Sequence, residues 1–122
     1  TYDIISPCAL GGTINKNSLK NINCNIIAGA ANNQLENDTD VPEELLKKNI
    51  LYIPDFLINA GGIISVYHEQ INDIDSKKVM DMTGLIYDKV SSVIKYSEEN
   101  SISTNSSAIQ LAKDRIKENS KK

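Results

Sequence analysis

Residues 24–35 read "CNIIAGAANNQL". The run "CNIIAG" (24–29) is too short and too apolar for a half-exposed strand, and predicts a strand buried on both faces, as in a parallel sheet. It runs into Gly29, flanked by Ala28 and Ala30, and then into the pair Asn32–Asn33. Small residues at a strand end let the backbone approach a neighbour or a ligand closely. The asparagines have two readings. Asn tolerates left-handed backbone and so shapes turns, and its amide can also read the polar edge of a bound molecule.

Outward from this stretch, the first half of the chain alternates strands and helices. "YDII" (2–5) is apolar and β-branched, and Pro7 stops it. "TINKNSLKNI" (13–22) is a short helix or turn with apolar points at Ile14, Leu19 and Ile22. "VPEELLKKN" predicts a helix starting at Asp40, where Asp40 and Glu43 have capping-box spacing and Pro42 sits in the first turn. "ILYI" (50–53) is the third strand. Asp55 is placed to cap a helix through "FLINAGGIISVYHEQ".

The second half is helical. Val79, Met82, Ile86, Val90 and Val93 recur every three or four residues and predict one long amphipathic helix from Lys77 to Tyr96. "SISTN" breaks it, and Ile109, Ala112 and Ile116 mark a last helix that ends in "ENSKK". Strands alternating with helices predict an α/β class with crossover helices. Three strands are few for such a sheet. The expected architecture is the second half of a Rossmann-like doubly wound parallel sheet with C-terminal helices, strand–helix alternation over 1–70 and a helical segment of the same domain over 71–122.

Composition narrows the function. The chain has 122 residues, about one domain, and is 40% hydrophobic with net charge −3. Both charge signs are interspersed, which argues against nucleic acid as a partner. No apolar run approaches the roughly 20 residues of a membrane span. The start, "TYDIIS", lacks Met, a basic region and an apolar signal segment, so the chain reads as trimmed or partial. Cys8 and Cys24 read as two reduced, buried thiols of a cytoplasmic protein. The single His68 and two distant Cys give no metal-ligand spacing.

The three predicted strand ends share one chemistry: "SPCALGG", "AGAANNQ" and "PDFLINAGG" each set Gly or Ala beside a hydrogen-bonding group. In open α/β sheets ligands bind at the carboxyl ends of the strands. Gly61 and Gly62 fall inside the expected helix, where each costs about 1 kcal/mol relative to Ala. Close helix–sheet packing or space for a flat ligand would each explain them. Asn59 just before them could hold a planar carboxamide. Cys8 has no His partner that would activate it, His68 reads as structural or solvated, and Asp3, Asp55 and Glu69 form no evident catalytic pair. No G-x-G-x-x-G turn is present.

In order and in register, "DIISPCALGGTIN", "IIAGAANNQL" and "LYIPDFLINAGGIISV" resemble the nucleotide-binding domain of the leucine, phenylalanine and valine dehydrogenases, of the glutamate dehydrogenase superfamily. The resemblance is nearly continuous over residues 1–70 and leans toward the leucine dehydrogenase branch. It implies NAD-dependent oxidative deamination of an L-amino acid, expected to be branched-chain, to a 2-oxo acid and ammonia. It implies a homo-oligomer in the full-length protein. Carried over by motif, Cys8, Ala9 and Leu10 line the adenosine side of the NAD groove through backbone. Asn33 contacts the nicotinamide and its ribose, and Asn59 lies at the nicotinamide and substrate. Ile63 and Val66 wall the pocket for an aliphatic side chain, with ordinary helix core as the other reading of Val66. On the same reading Gly29 and its alanines give clearance for the cofactor.

The departures are specific. Ser65 stands where the branched-chain enzymes commonly have Asn. The family's catalytic lysines and aspartate belong to an N-terminal domain, and its glycine-rich turn to the first half of the dinucleotide fold. Neither is within these 122 residues, so no catalytic residue is assigned and the chain alone is expected to be inactive. The choice between NAD and NADP also belongs to that first half. Against the dehydrogenase reading stands a non-catalytic nucleotide-binding or interaction module on the same fold. A response-regulator-like domain would want acidic residues clustered at the strand ends, and none are there.

Overall fold

The computed structural model describes residues 1–120. The expected helical segment 71–122 therefore includes two residues, Lys121 and Lys122, outside the described residues. Strands β1 (Tyr2–Ile5), β2 (Cys24–Ile27) and β3 (Leu51–Tyr52) form a parallel sheet in the order β1-β2-β3. Register runs Tyr2 to Cys24 and Ile4 to Ile26, then Ile26 to Leu51. The strand reading of 24–29 overshoots by two residues, because the chain leaves the sheet at Ala28.

The β1–β2 connection holds only a 3-10 turn at Ser18–Lys20, whereas α1 (Asp40–Lys47) makes the β2–β3 crossover. Ile14, Leu19, Ile27, Val41, Leu45, Ile50 and Tyr52 form the core, with Ile5, Ile22 and Leu35 packed against it. Burying such side chains is worth about 1.5–3 kcal/mol each relative to exposure, which fixes the face of the sheet that α1 covers. Tyr2 and Ile4 alternate onto the opposite face of β1 and are 70% and 57% exposed.

The expected capping box does not form. The Oδ1 of Asn37 instead accepts from the backbone N–H groups of Thr39 (3.1 Å), Asp40 (2.8 Å) and Val41 (3.2 Å). Asp40 turns outward to Lys16, 2.9 Å away, and the pair holds the carboxyl below, and the ammonium above, their usual ranges.

Two predicted helices are each split. The one after β3 becomes α2 (Asp55–Ile58) and α3 (Gly61–Gln70), so Gly61 and Gly62 lie in a first turn and not in a helix interior. A Cβ at Gly62 would meet nothing within 4 Å and one at Gly61 only Thr83 at 3.6 Å, so neither glycine serves close helix–sheet packing. The long amphipathic helix becomes α4 (Ser76–Gly84) and α5 (Ile86–Asn100). The break falls at Leu85, just after Gly84, in a tightened turn in which Leu85 N–H bonds the Met82 carbonyl.

Ser101, in the left-handed region, ends α5, and Ser103 caps α6 (Thr104–Asn119), its Oγ accepting from Ser106 N–H. The residues that α6 buries are Thr104, Asn105, Ser107 and Ala108, not the expected Ile109–Ala112–Ile116 face. Its first turn docks on the sheet by polar contacts, Thr104 Oγ1 donating to the Tyr52 carbonyl and Asn105 Nδ2 to Asp38, and Ile116 is left exposed. His68 is buried between α3 and α4, its Nε2 3.0 Å from Met82 Sδ and its Nδ1 3.2 Å from the Asp73 carbonyl, which gives it a structural place. Among the described residues, no helix is long and apolar enough to cross a membrane, and no three His, Cys, Asp or Glu side chains are grouped to hold a metal ion.

Candidate functional site

The loops after the three strands meet at the carboxyl edge of the sheet, with "AGAANNQ" in the middle. On its β1 side, Ala31 N–H donates to the Pro7 carbonyl (3.0 Å) and Gly12 N–H to the Asn33 carbonyl (2.8 Å). Ile14 and Leu35 then add a parallel bridge beyond the sheet. On its β3 side, Asn59 Nδ2 donates to Asn32 Oδ1 at 2.7 Å and to the Ala30 carbonyl at 3.3 Å.

Glycine and asparagine have structural work here that a ligand-based reading overlooks. A Cβ at Gly29 would lie 2.1 Å from the Pro7 carbonyl oxygen and 2.5 Å from its nitrogen. The clearance at Gly29 therefore serves the neighbouring loop, which corrects its reading as space for a cofactor. Gly11 is similarly close to the carbonyls of Asn32 and Asn33, at 3.0 and 2.9 Å from a built Cβ. Asn33 has φ 52°, the left-handed conformation that Asn tolerates, and its side chain is exposed.

Asn59 ends α2 in the break before α3. An amide has two N–H donors, and Asn59 directs them to Ala30 and Asn32. Only an N–H can donate to the Ala30 carbonyl, so this contact sets which way the amide faces. The Asn59 group left to meet a ligand is Oδ1, an acceptor, suited to the N–H groups of a carboxamide or an ammonium.

Cys8, Ala9 and Leu10 line an open groove of about 300 Å³ with Ile5, Pro7 and Ile14. Cys8 is exposed, not buried as its composition-based reading held, while Cys24 is buried, and both thiols are free. The Ser6 hydroxyl, 3.3 Å from Cys8 Sγ, and then the Ala30 backbone N–H hold the Cys8 thiol below its ordinary value. Burial pushes Cys24 up. Ile63 and Val66 sit three apart on α3, 72% and 49% exposed, so Val66 is not helix core. Ser65 Oγ lies 3.4 Å from Glu69 Oε1.

Beneath the edge lie two side chains with a shared contact. Asp55, read from sequence as a helix cap, accepts from Phe56 N–H at 2.6 Å but also, across the loop, from Gln34 N–H at 2.7 Å. Tyr52 OH accepts from Asp55 N–H, and burial, with the Asp55 charge, pushes the phenol well above its usual range. Gln34 carried no local signal in the sequence, because its partners lie up to 21 residues away.

Three parallel strands whose loops converge at their carboxyl ends define a Rossmann-like α/β domain. The family model of the Glutamate/Leucine/Phenylalanine/Valine dehydrogenases matches residues 1–122, and this chain belongs to that family. It is 47% identical over 114 residues to an L-tryptophan dehydrogenase of Nostoc punctiforme, covering 93% of this chain and 32% of the relative. It is 39% identical over 116 residues to a leucine dehydrogenase of Bacillus cereus, covering 93% and 31%. The crystal structure of the Nostoc punctiforme L-tryptophan dehydrogenase superposes with a TM-score of 0.91 at 46% identity, over 95% of this chain and 35% of that one. The chain thus spans about a third of the length of the curated relatives it matches.

Proposed function

We propose that this chain forms one wall of the active site of an NAD-dependent amino-acid dehydrogenase, which converts an L-amino acid and water to a 2-oxo acid and ammonia. The observation that carries the reading is the convergence of all three strand-end loops, joined by Ala31–Pro7 and Gly12–Asn33 on one side and by Asn32–Asn59 on the other, at the edge where open α/β sheets bind ligands. The residues present fit the cofactor: an apolar groove at Cys8–Leu10 for the adenosine side, and amide groups at Asn33 and Asn59 for the nicotinamide end. The bound cofactor would supply the acceptor for the hydride that leaves the substrate Cα. Asn59 Oδ1 orients the carboxamide or the substrate ammonium. Ile63 and Val66 present apolar surface to the substrate side chain, which disfavours a substrate carboxylate there, since a buried charge needs a partner.

The substrate is an L-amino acid with an apolar side chain. The branched-chain reading from sequence favours leucine, whereas the higher identity to a tryptophan dehydrogenase than to a leucine dehydrogenase favours a larger, aromatic one. The catalytic acid–base groups come from residues preceding Thr1, and β1, an edge strand with a bare apolar face at Tyr2 and Ile4, suits further strands at its edge and crossover helices on that face. The full-length enzyme is a cytoplasmic homo-oligomer.

Gly61 and Gly62, in a first turn, do not discriminate between the enzyme and a non-catalytic module on the same fold, so the assay decides. The full-length polypeptide is expected to produce NADH from leucine or tryptophan but not from glutamate, and this chain alone from none. No turnover by the full-length polypeptide with any apolar amino acid would refute the reading; turnover by the isolated chain would refute the assignment of catalysis to the preceding residues.

A further inference from the structure

Among the described residues, Gln34 alone is bonded to all three strand-end loops. Its carbonyl accepts from Ile14 N–H after β1 (3.0 Å). Its Nε2 donates to the Gly29 carbonyl (2.7 Å) and the Ala31 carbonyl (2.9 Å) after β2. Its N–H donates to Asp55 Oδ2 after β3 (2.7 Å). Gln34 is fully buried, and Asp55 is buried beside it. The Oε1 of Gln34 has no partner among the described residues. The two carbonyl contacts accept only N–H donors, so the amide cannot be turned over to satisfy it.

Burying an acceptor unsatisfied costs about 1–3 kcal/mol. A methionine of similar shape would avoid that cost but would leave the Gly29 and Ala31 carbonyls without their donor. A buried polar group with an unmet bond calls for a reason beyond packing, and its two donor bonds supply one. They pin the carbonyls on either side of Ala30, the residue whose own carbonyl receives Asn59. They also immediately precede Asn32 and Asn33.

We propose that Gln34, held by Asp55, is a positioning residue: it sets the Gly29–Asn33 loop so that Asn33 and Asn59 meet the nicotinamide end of the cofactor. Gln34 touches no ligand itself. The inference rests on the proposed function and makes a narrower claim, because it predicts an effect at one end of the dinucleotide only. The Gln34 side chain makes no hydrogen bond to Cys8–Leu10, at the adenosine side; the loop after β1 meets Gln34 through its backbone carbonyl, at Ile14, a bond that a side-chain substitution keeps.

The test is binding of two probes to the full-length enzyme, NADH and ADP-ribose, the second lacking the nicotinamide. In Gln34→Met the NADH Kd is expected to rise about tenfold, the weight of roughly one net hydrogen bond, with the ADP-ribose Kd changed less than about twofold. Unchanged binding of both probes, or equal loss of both, would overturn the proposal, since the first denies any effect and the second describes a general structural defect. Should Gln34→Met not fold, Gln34→Glu keeps the shape. Its protonated carboxyl can donate one bond, whereas its carboxylate repels the Gly29 and Ala31 carbonyls. Relative to wild type, preference for NADH over ADP-ribose is then expected to fall as pH rises; a preference that tracks wild type at every pH sinks the idea. A wild-type enzyme that binds neither probe refutes the proposed function itself and this inference with it, before any variant is made.

Discussion

Asn59 Nδ2 lies 2.7 Å from Asn32 Oδ1, joining residues 27 positions apart and closing the loop after β2 onto the break between α2 and α3. The sequence leaves Asn32 with two readings, a turn former or a ligand contact. The structure gives it a third: it accepts from Asn59 Nδ2, which also donates to the Ala30 carbonyl. Asn33 beside it keeps an exposed side chain on a left-handed backbone. The asparagine pair thus divides into one residue that braces and one that is free to bind.

Asn32→Ala removes the shorter of the two Asn59 contacts and leaves only that to Ala30, and about tenfold weaker NADH binding by the full-length enzyme is expected, near the worth of one hydrogen bond. Asn32→Asp keeps an oxygen at the same position and is expected to bind NADH more nearly as wild type does. Fluorescence titration with NADH checks the order; equal behaviour of Ala and Asp would show that the Asn59 contact does not matter.

The glycines divide by what a methyl group would meet. At Gly29 it strikes Pro7 backbone atoms at 2.1 and 2.5 Å, which cannot swing aside as a flexible side chain would. Gly29→Ala is expected to destabilise the protein by about 3 kcal/mol or to prevent folding. Gly62→Ala meets nothing within 4 Å in a helical first turn and is expected to stabilise by roughly 0.5 kcal/mol. If the α3 start faces the nicotinamide and substrate, the same Gly62→Ala raises the KM of the full-length enzyme. Urea unfolding and steady-state kinetics on the pair separate a packing glycine from a clearance glycine.

What could be read from the sequence followed the range of the forces involved. β1 and β2 were legible because short β-branched runs bounded by Pro7 and Gly29 admit few alternatives. The breaks at Asn59 and Gly84 were not, because apolar spacing continues through both while the backbone turns. At Asn59 that turn accompanies contacts to Ala30 and Asn32, far away in the chain. The first turn of α6 was misread for a related reason: Thr104 and Asn105 are buried by polar bonds to Tyr52 and Asp38, which hydrophobic periodicity does not register. For the site, the types of residue at the strand ends were visible, but the node at Gln34 was not.

The start of α1 offers a compact check of local rules. Asn37 Oδ1 serves three N–H groups, whereas Asp40 and Glu43 only have the spacing of a cap. Asn37→Ala is expected to cost about 1 kcal/mol, the usual weight of a cap. Breaking the exposed Lys16–Asp40 pair with Lys16→Ala is expected to cost less, since solvent and salt screen it. Thermal melts of both variants decide; a larger loss from Lys16→Ala would reverse the assignment.

Cys8 reports on the groove directly. It is exposed beside Ser6 and Ala30, and those hydrogen bonds favour the thiolate, whereas burial disfavours the Cys24 thiolate. Because the thiolate is the nucleophile, alkylation of the native protein is expected to label Cys8 first. Its rate should rise with pH through a midpoint below that of an ordinary thiol. Ser6→Ala removes the larger of the two stabilising bonds and is expected to move that midpoint upward. If Cys8 borders the adenosine side of the cofactor, saturating ADP-ribose slows the labelling of the full-length enzyme. Peptide mapping after iodoacetamide treatment, with and without the nucleotide, reads all three effects; labelling of Cys24 ahead of Cys8 would contradict the burial, and labelling indifferent to bound nucleotide would move the adenosine groove elsewhere.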